Sequence, residues 1–550
     1  MAGATSGETR GPHEGILRRQ SARESSARTY ARALPIVPVR ARGLTIEGAD
    51  GRRYLDCLSG AGTLALGHNH PVVLEAIRGV LDSGAPLSVL DLATPVKDAF
   101  VTELFRTLPP GLADRARVQF CGPAGTDAVE AALKLVRAAT GRSGVLAFAG
   151  AYHGMTAGAL AVSGGAPDVQ AARLPYPQDY RCPFGIGGPA GAELAARWTE
   201  SLLDDPKSGV PLPAGMILEP VQGEGGVIPA PDDWLRRMRR LTADRSIPLI
   251  ADEIQTGVGR TGAFWAVDHS GVTPDVMVLS KAIGGSLPLA VVVYRDDLDT
   301  WQPGAHAGTF RGNQLAMAAG TATLAYVREN ALAERAATLG SRMLTRLADF
   351  GREHACVGDV RGRGLMIGIE LVTPDPERRE PGAPERAAGG PDGPGGAGVL
   401  PGSGGGPGGL GGADDLIGSG GGPDGPGGAD DPTGFGGGPG ALPGSRGVPD
   451  ARTAPTAPGR PMAPAARTPY PPAPGLAAAV QRECLRRGLI VELGGRHASV
   501  IRLLPPLTIS DEQAEAVLDR LTDAITAAAR DHETHGPDRR RHPGADRHAG

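Results

Sequence analysis

Lysine is scarce in this chain of 550 residues. Only four of its 56 basic residues are lysines, namely Lys97, Lys134, Lys207 and Lys281. The others are arginines, whose guanidinium group stays protonated and does not act as an amine nucleophile. Chemistry that requires a lysine amine therefore has four candidate residues.

Cysteine is also rare, and its arrangement excludes two kinds of small stabilised domain. The five cysteines are scattered, and no pair has the Cys-x-x-Cys spacing. Disulfide-rich domains need several paired cysteines, and structural zinc sites need clustered ligands. We therefore predict neither a disulfide framework nor a metal site, and we expect the reducing environment of the cytoplasm.

A strong charge bias and a long apolar run are absent as well. The formal net charge is −4, which is too balanced to indicate binding to nucleic acid. No apolar run approaches the roughly 20 residues that span a bilayer, and the first thirty residues lack the apolar centre of a secretory signal. We therefore expect a cytoplasmic protein without a membrane or nucleic-acid partner.

Glycine and proline, by contrast, are abundant, and one segment holds much of the excess. The chain has 84 glycines and 50 prolines, and residues 381–470 contain 30 and 17 of them. This segment has two aromatic residues and repeats the string GGPDGPGGA, so it cannot bury enough apolar surface to offset its conformational entropy. Before this segment, DVRGRGLMIGIELV (359–372) predicts a loop followed by a strand. We predict a disordered insertion over residues 376–474 that loops out of one folded unit, because helix-like and strand-like sequence resumes directly after it.

Outside this insertion, short apolar runs alternate with helical stretches such as 126–139 and 231–246. The runs are continuously apolar, as in the strands of a buried parallel sheet. They lie at residues 144–150, 214–220, 247–253, 275–281 and 289–294. The alternation predicts an α/β fold, in which ligands bind at the carboxyl ends of the strands.

Two of these strand ends carry reactive side chains. Asp252 and Glu253 end one apolar run, and Lys281 ends the next, 29 residues after Asp252. A lysine at the end of an apolar strand is costly unless it has a partner or a role. Considered by itself, Lys281 is more simply interpreted as a residue that reaches solvent. It is nevertheless the only lysine placed where strand ends converge, which makes it the best candidate for an amine nucleophile.

A turn of small residues in the segment CGPAGTDAVEAALKL leads directly into an amphipathic helix. The backbone N–H groups of Gly125 and Thr126 are expected to lie free at the helix N-terminus, where the helix dipole favours an anion such as phosphate. An ordinary helix start, capped by Thr126 or Asp127, explains the same residues equally well.

These groups together match the requirements of pyridoxal 5′-phosphate. The aldehyde of this cofactor needs a lysine amine for its Schiff base, and its pyridine nitrogen needs a carboxylate. Lys281 and Asp252 meet these two needs, and the turn at Gly125 and Thr126 meets the need of the phosphate. Tyr152, which follows another strand, can stack on the ring.

Nine segments, in this order along the chain, resemble the class III, ω-amino-acid type of pyridoxal-phosphate-dependent aminotransferase, which has fold type I. They are GAGTLALGHNHP (60–71), QFCGPAGTDAVEAALKL (119–135), AYHGMTAGALAVSG (151–164), PYPQDYRCPFG (175–185), ILEPVQGEGGV (217–227), LIADEIQTGVGRTG (249–262), VLSKAIGG (278–285), HAGTFRGNQLAMAAG (306–320) and RLLPPLTIS (502–510).

The resemblance implies two domains. A large cofactor-binding domain, with a mostly parallel sheet flanked by helices, is expected over residues 81–330. A small α+β domain formed by both ends of the chain is expected over residues 26–80, 331–375 and 475–530. Residues 1–25 are expected to be a disordered arm and residues 531–550 a disordered tail.

The resemblance also implies roles for single residues. Lys281 forms the Schiff base and then moves the proton at the reacting carbon, while Asp252 pairs with the pyridine nitrogen. Gln255 approaches the ring hydroxyl and Tyr152 stacks on the ring. The phosphate is expected to be bound by Gly125 and Thr126. Because members of the family build their sites across a homodimer interface, Thr309 of the partner subunit is expected to bind it as well.

For the substrates, the resemblance implies that Arg502 binds the α-carboxylate of the keto acid and that Glu224 masks this arginine while a diamine binds. Similarity is closest to members that convert L-2,4-diaminobutyrate and 2-oxoglutarate into L-aspartate 4-semialdehyde and L-glutamate. Another donor (4-aminobutyrate, ornithine or acetylornithine) and a non-catalytic scaffold that uses the insertion are the alternatives.

Many relatives have an arginine shortly after the ring-stacking aromatic, whereas residues 152–156 read YHGMT, so the second carboxylate of 2-oxoglutarate has no assigned acceptor.

Overall fold

The structure is a computed structural model that describes residues 12–165, 171–374 and 468–535. Its α-helices are α1 (Pro12–Arg23), α2 (Tyr30–Ala33), α3 (Pro71–Asp82), α4 (Pro95–Thr107), α5 (Gly125–Thr140), α6 (Ala157–Val162), α7 (Gly188–Asp204), α8 (Asp232–Asp244), α9 (Gln314–Glu329), α10 (Leu332–Glu353), α11 (Pro474–Arg486) and α12 (Asp511–His535).

The strands are short, as the apolar runs of the sequence predict. They are β1 (Pro38–Arg42), β2 (Thr45–Gly48), β3 (Arg53–Asp56), β4 (Ala116–Phe120), β5 (Val145–Phe148), β6 (Ala171–Leu174), β7 (Gly215–Leu218), β8 (Val221–Gln222), β9 (Ile228–Pro229), β10 (Leu249–Asp252), β11 (Val276–Leu279), β12 (Val291–Arg295), β13 (Val357–Arg363), β14 (Met366–Leu371), β15 (Leu489–Ile490), β16 (Glu492–Gly494) and β17 (Val500–Leu503).

A seven-stranded sheet lies at the centre, with the strand order β4-β12-β11-β10-β7-β5-β6. The neighbours from β11 to β6 are parallel, and β12 is antiparallel to both β11 and β4. This mostly parallel sheet, flanked by helices, confirms the predicted α/β fold.

Helices cover both faces of this sheet because its strands are apolar on both sides. On β11, Val276 and Val278 pack with Leu133 of α5 on one face. Met277 and Leu279 alternate with them and pack on the opposite face with residues of α4 and α9. Residues of α7 and α8 cover β5, β7 and β10 in a similar way. The carboxyl ends of the strands remain open between these layers.

Two further sheets bring distant parts of the chain together. In the sheet β1-β2-β3-β15, the parallel pair β3 and β15 places Leu489 opposite Leu55. In the antiparallel sheet β13-β14-β17-β16, Arg502 on the β17 strand lies opposite Glu492 on one side and Gly368 on the other. This register places a carboxylate directly beside the Arg502 side chain.

The chain just before the predicted insertion meets the last residues of the predicted range, so the insertion ends earlier than residue 474. Val372 and Pro472 form an isolated bridge, and the backbone N–H of Thr373 donates to the carbonyl of Pro471 at 2.9 Å. Almost all of the predicted insertion lies outside the described residues, as do residues 1–11 and 536–550.

Three local features differ from the sequence prediction. Helix α1 occupies residues 12–23 of the segment predicted to be disordered, with Glu14 in its first turn and Arg23 in its last, where each complements the helix dipole. Helix α12 continues to His535, past the predicted boundary at residue 530. A β13–β14 hairpin replaces the expected loop and single strand, because Gly364 adopts the left-handed φ of +54° at its turn.

Across the described residues, no helix combines the length and the apolar character that crossing a bilayer requires.

Candidate active site

A cavity of about 280 Å³ opens at the carboxyl ends of β5, β7, β10 and β11, where the sequence predicts a ligand site. Its lining consists of Ala124, Gly125, Thr126, Tyr152, His153, Gly154, Met155, Glu219, Glu224, Asp252, Ile254, Gln255, Thr256 and Lys281.

Lys281 lies one residue beyond the end of β11 and begins the short 3₁₀ helix Lys281–Gly284. Its φ is +50°, a left-handed conformation that residues with a side chain rarely adopt, and strained backbone of this kind clusters at active sites. Desolvation lowers the pKa of the Lys281 amine, and the carboxylates of Glu224 and Asp252 oppose this effect only in part. The amine is therefore a better nucleophile near neutral pH than an ordinary lysine.

Asp252 is the last residue of β10, and a buried histidine fixes its carboxylate. His153 Nδ1 lies 2.7 Å from Asp252 Oδ2, and the backbone N–H of Ile254 donates to Oδ1 at 3.1 Å. Burial disfavours the imidazolium of His153, but the hydrogen bond and the charge of Asp252 outweigh it and raise the pKa of His153. Nδ1 therefore donates to the carboxylate, which is oriented towards the cavity.

Glu219 follows β7 and connects two loops of the site. Its Oε1 accepts the backbone N–H of Tyr152 and its Oε2 accepts that of Gly223, each at 2.9 Å. Burial raises the pKa of Glu219 to about 7, the charge of Asp252 adds to this effect, and the charge of His153 opposes it. Glu219 thus holds the loop of Tyr152 beside the loop that carries Glu224.

The N-terminus of α5 borders the cavity. Ala124 supplies no side-chain cap, and its own N–H donates to Asp127 Oδ2 at 3.0 Å. Gly125 and Thr126 are the first two helical residues, so their N–H groups have no acceptor within the helix. These donors and the helix dipole suit an anion.

The side chain of Thr126 is enclosed by the loop after β5. Its Oγ1 lies 2.6 Å from Thr156 Oγ1. Gly154 has a φ of +126°, and a Cβ at this position would lie 2.4 Å from Thr126 Oγ1. Only glycine fits here, so the YHGMT segment can close around the end of α5.

Tyr152 and Gln255 complete the walls of the cavity. Tyr152 keeps 45% of its surface exposed, so its ring is free to cover a ligand. The Nε2 of Gln255 donates to the carbonyl of Ala61 at 3.1 Å, which fixes the side chain at the cavity edge.

Arg502 lies behind Glu224 and is fully buried. Its NH2 group is 2.8 Å from Glu224 Oε1 and 2.6 Å from Glu492 Oε2, and the hydroxyl of Tyr30 donates to Glu492 Oε1 at 2.9 Å. A Cβ on Gly494 would lie 2.6 Å from Arg502 Nε, so the guanidinium needs this glycine beside it. One arginine is therefore paired with two carboxylates at the edge of the cavity.

The structure brings most of the predicted site residues together. Around the cavity lie Gly125, Thr126, Tyr152, Glu224, Asp252, Gln255 and Lys281. Arg502 is reached through Glu224, whereas the exposed Thr309 begins the 3₁₀ helix Thr309–Gly312 and does not line the cavity of its own chain. Its assignment to the site of a partner subunit stays a prediction.

Sequence reasoning missed four residues of this region: Tyr30, His153, Glu219 and Glu492. The signal for His153 was its position next to Tyr152, and for Glu219 its position at the end of an apolar strand. Tyr30 is far from Arg502 along the chain, and Glu492 lies ten residues before Arg502 but outside the nine segments, so only the folded chain shows that both contact the arginine cluster. Within the part of the chain that the structure describes, no group of three or more His, Cys, Asp or Glu side chains is arranged to hold a metal ion.

Comparison with known proteins places this geometry in context. The family model described as aminotransferase class III matches residues 26–388. A diaminobutyrate–2-oxoglutarate aminotransferase from Rhizobium meliloti is 46% identical over 520 residues, which cover 93% of this chain and 92% of the relative. A relative of the same name from Haemophilus influenzae is 50% identical over 367 residues, or 65% of this chain and 80% of the relative.

Solved structures share the fold. An amine transaminase from an uncultivated Pseudomonas species, solved with bound pyridoxal 5′-phosphate, superposes on this chain with a TM-score of 0.67. The two are 26% identical, and the match covers 92% of this chain and 97% of that one. The ornithine aminotransferase from Toxoplasma gondii gives a TM-score of 0.66 over 94% of this chain and 96% of its own, and at 20% identity this likeness concerns the fold alone.

Proposed function

This chain belongs to the class III aminotransferases, and on that premise we propose that it transfers the terminal amino group of L-2,4-diaminobutyrate to 2-oxoglutarate with pyridoxal 5′-phosphate as cofactor. The products are L-aspartate 4-semialdehyde and L-glutamate, and the reaction can run in either direction. The names of the relatives from R. meliloti and H. influenzae support this choice of substrates.

One observation supports the proposed reaction type most directly. An amine, a carboxylate and a helix N-terminus all lie at a single cavity. Lys281, Asp252 and the first residues of α5 all line it. An amine of lowered pKa suits an aldehyde, a carboxylate suits a protonated ring nitrogen, and free backbone N–H groups suit a phosphate. The residues present therefore fit pyridoxal phosphate.

In the proposed complex, Lys281 Nζ would hold the cofactor through its aldehyde, and Asp252 would pair with the ring nitrogen. Tyr152 would cover the ring and Gln255 would contact its hydroxyl. The N–H groups at the start of α5 would hold the phosphate, and Thr309 of the partner subunit would contribute to the same site.

The bound cofactor supplies a carbonyl carbon that exchanges amines and a ring that withdraws electrons from the carbon next to nitrogen. The residues of the chain control the protons. Lys281 Nζ would act as the base and acid that moves the proton of the reacting carbon. Asp252, oriented by His153, would keep a proton on the ring nitrogen.

Two substrates of different charge use the same site in turn. The donor carries a net positive charge at neutral pH, whereas 2-oxoglutarate carries two negative charges. While Glu224 is paired with Arg502, the arginine is masked and the donor binds through its terminal amine. When Glu224 moves away, Arg502 can bind a carboxylate of the keto acid.

We also propose a homodimer with its sites at the interface, in the cytoplasm. Leu90, Leu92 and Phe310 are large apolar side chains with 51%, 65% and 67% of their surface exposed. The backbone N–H of Val89 donates to the carbonyl of Gly312 at 3.2 Å, so these side chains belong to adjoining segments that a second copy can cover. The five cysteines are free thiols, which supports a reducing compartment.

A panel of amine donors tests the proposal. Steady-state rates with 2-oxoglutarate should be highest for L-2,4-diaminobutyrate, ahead of 4-aminobutyrate, ornithine and acetylornithine. Lys281→Ala should abolish turnover, whereas Lys207→Ala, which changes an exposed loop lysine, should keep it. A clear preference for 4-aminobutyrate would contradict the proposed donor, and full activity of Lys281→Ala would contradict the proposed chemistry.

A further inference from the structure

Glu492 is a buried carboxylate to which the mechanism above assigns no role. It lies opposite Arg502 across the β16–β17 pair, and its Oε1 accepts the hydroxyl of Tyr30 at 2.9 Å. Its Oε2 is 2.6 Å from Arg502 NH2, but no donor in the described part of the chain is aligned with this oxygen for a hydrogen bond. The ion pair with Arg502 thus leaves this buried oxygen without an aligned hydrogen bond, which a donor group of a ligand would supply.

The charges of this cluster do not balance. Arg502 carries one positive charge, while Glu224 and Glu492 carry one negative charge each when ionised. With Glu224 in place, the cluster has an excess of one negative charge. Among the described residues, no second basic side chain forms an ion pair with Glu492. The cluster therefore favours a further cation, which is either the amine of Lys281, within its electrostatic reach, or a cation from outside the chain.

The cluster adjoins the place where the chemistry occurs. Glu224 lines the cavity and is 2.8 Å from Arg502, which in turn contacts Glu492. The negative charges of Glu224 and Glu492 both counteract the lowering of the Lys281 pKa, so both carboxylates lie within electrostatic reach of the amine.

We propose that Glu492, positioned by Tyr30, binds the second ammonium group of the diamino donor and thereby determines donor specificity. This inference rests on the proposed function. A donor that reacts through its terminal amine keeps a free ammonium group at its other end, and this group supplies the hydrogen-bond donors that Glu492 Oε2 lacks. The donor 4-aminobutyrate has no such group, so it leaves the carboxylate unpaired.

Glu492→Gln tests the proposal because it keeps the size of the side chain and removes its charge. The ratio kcat/KM for L-2,4-diaminobutyrate should fall at least about tenfold, mainly through KM, whereas that for 4-aminobutyrate should change by less than about threefold. The KM for 2-oxoglutarate should stay constant or fall, because a negative charge has left the neighbourhood of Arg502. Tyr30→Phe, which removes only the hydroxyl that holds Glu492, should reduce the preference for the diamine in the same direction and to a smaller extent.

A merely structural role gives a different pattern. If Glu492 only held Arg502 in place, Glu492→Gln would impair 2-oxoglutarate and both donors together, and the proposal would be overturned. An unchanged ratio between the two donors would overturn it as well. Glu370→Gln is the matched control, since Glu370 is also buried and pairs with arginines (Arg361 NH1 at 2.7 Å) away from the cavity.

The donor preference of the wild type and that of Glu492→Gln together separate failure of this inference from failure of the proposed function. A wild-type enzyme that prefers L-2,4-diaminobutyrate while Glu492→Gln keeps the same preference refutes this inference alone. A wild-type enzyme without that preference refutes the proposed donor. Thermal unfolding of each variant reports whether it folds, and Tyr30→Phe carries the test if Glu492→Gln does not.

Discussion

Replacing Glu224 with alanine should strengthen the binding of 2-oxoglutarate. The Oε1 of Glu224 lies 2.8 Å from the NH2 group of Arg502, which is fully buried. A carboxylate of the keto acid can bind Arg502 only after this ion pair has separated. Breaking the ion pair costs free energy each time a keto acid binds to the wild-type enzyme. The Glu224→Ala variant has no such ion pair to break.

The size of the effect follows from the geometry of the pair. A hydrogen bond between charged groups contributes about 1.5–3 kcal/mol. The Glu224 side chain is 34% exposed, so solvent screens the interaction and the lower part of this range applies, about 1.5–2 kcal/mol. A tenfold change corresponds to about 1.4 kcal/mol, so the KM for 2-oxoglutarate should fall about 10- to 30-fold.

The assay is the steady-state KM for 2-oxoglutarate at saturating L-2,4-diaminobutyrate. Glu193→Ala is a suitable control because it removes a partly exposed glutamate, away from the cavity, that pairs with Arg197 at 2.7 Å. The control should leave the KM unchanged. A KM that stays constant or rises in a folded Glu224→Ala variant would refute the idea that Glu224 masks Arg502.

Three other perturbations have defined outcomes. Burial raises the pKa of Glu253 to about 7, so the folded state keeps a proton that the unfolded state releases, and stability is lost as the pH rises from about 4.5 through 7. Between pH 5 and pH 8, the free energy of unfolding should therefore fall less in Glu253→Gln than in the wild type, by up to about 3 kcal/mol, as measured by denaturant unfolding. Gly154→Ala should weaken cofactor binding about tenfold or more in a fluorescence titration, since a Cβ would lie 2.4 Å from Thr126 Oγ1 in a strained backbone. Deletion of residues 381–460 should leave kcat and the thermal midpoint nearly unchanged, because Val372 and Pro472, on either side of the deleted segment, already pair with each other.

Each of these outcomes can also fail in a specific way. A pH dependence of stability as steep in Glu253→Gln as in the wild type would show that this carboxyl does not retain its proton. Gly141→Ala, at a left-handed position with open space around it, is the control for Gly154→Ala, and equal weakening of cofactor binding by both would remove the role of the clash. Loss of turnover on deletion of residues 381–460 would give the insertion a part in catalysis.

Much of the fold was predictable because the central strands are buried on both faces. The runs that become β5, β7, β10 and β11 are apolar without alternation, and that pattern arises where helices cover both sides of a sheet. The β13–β14 hairpin was not predicted, since its strand β13 is only partly buried and its sequence DVRGRG carries a loop composition. Tertiary pairing with β14 decides its structure.

The site divides in the same way. Lys281 and Asp252 were predictable because each lies at or just after the end of a buried strand, and the carboxyl ends of parallel strands meet at one edge. The contact between Glu492 and Arg502 depends on the register of two short antiparallel strands, and a shift by one residue would turn Glu492 to the other face. Local sequence does not specify that register, so the donor-binding role inferred for Glu492 required the folded chain.

The most direct test of the proposed chemistry is the absorption spectrum of the purified protein during one catalytic cycle. The protein loaded with pyridoxal phosphate should be yellow, L-2,4-diaminobutyrate should bleach the colour, and 2-oxoglutarate should restore it. Lys281→Ala should lack the yellow colour of the wild type. A wild-type protein that stays colourless after loading, or whose colour does not respond to either substrate, would contradict the account.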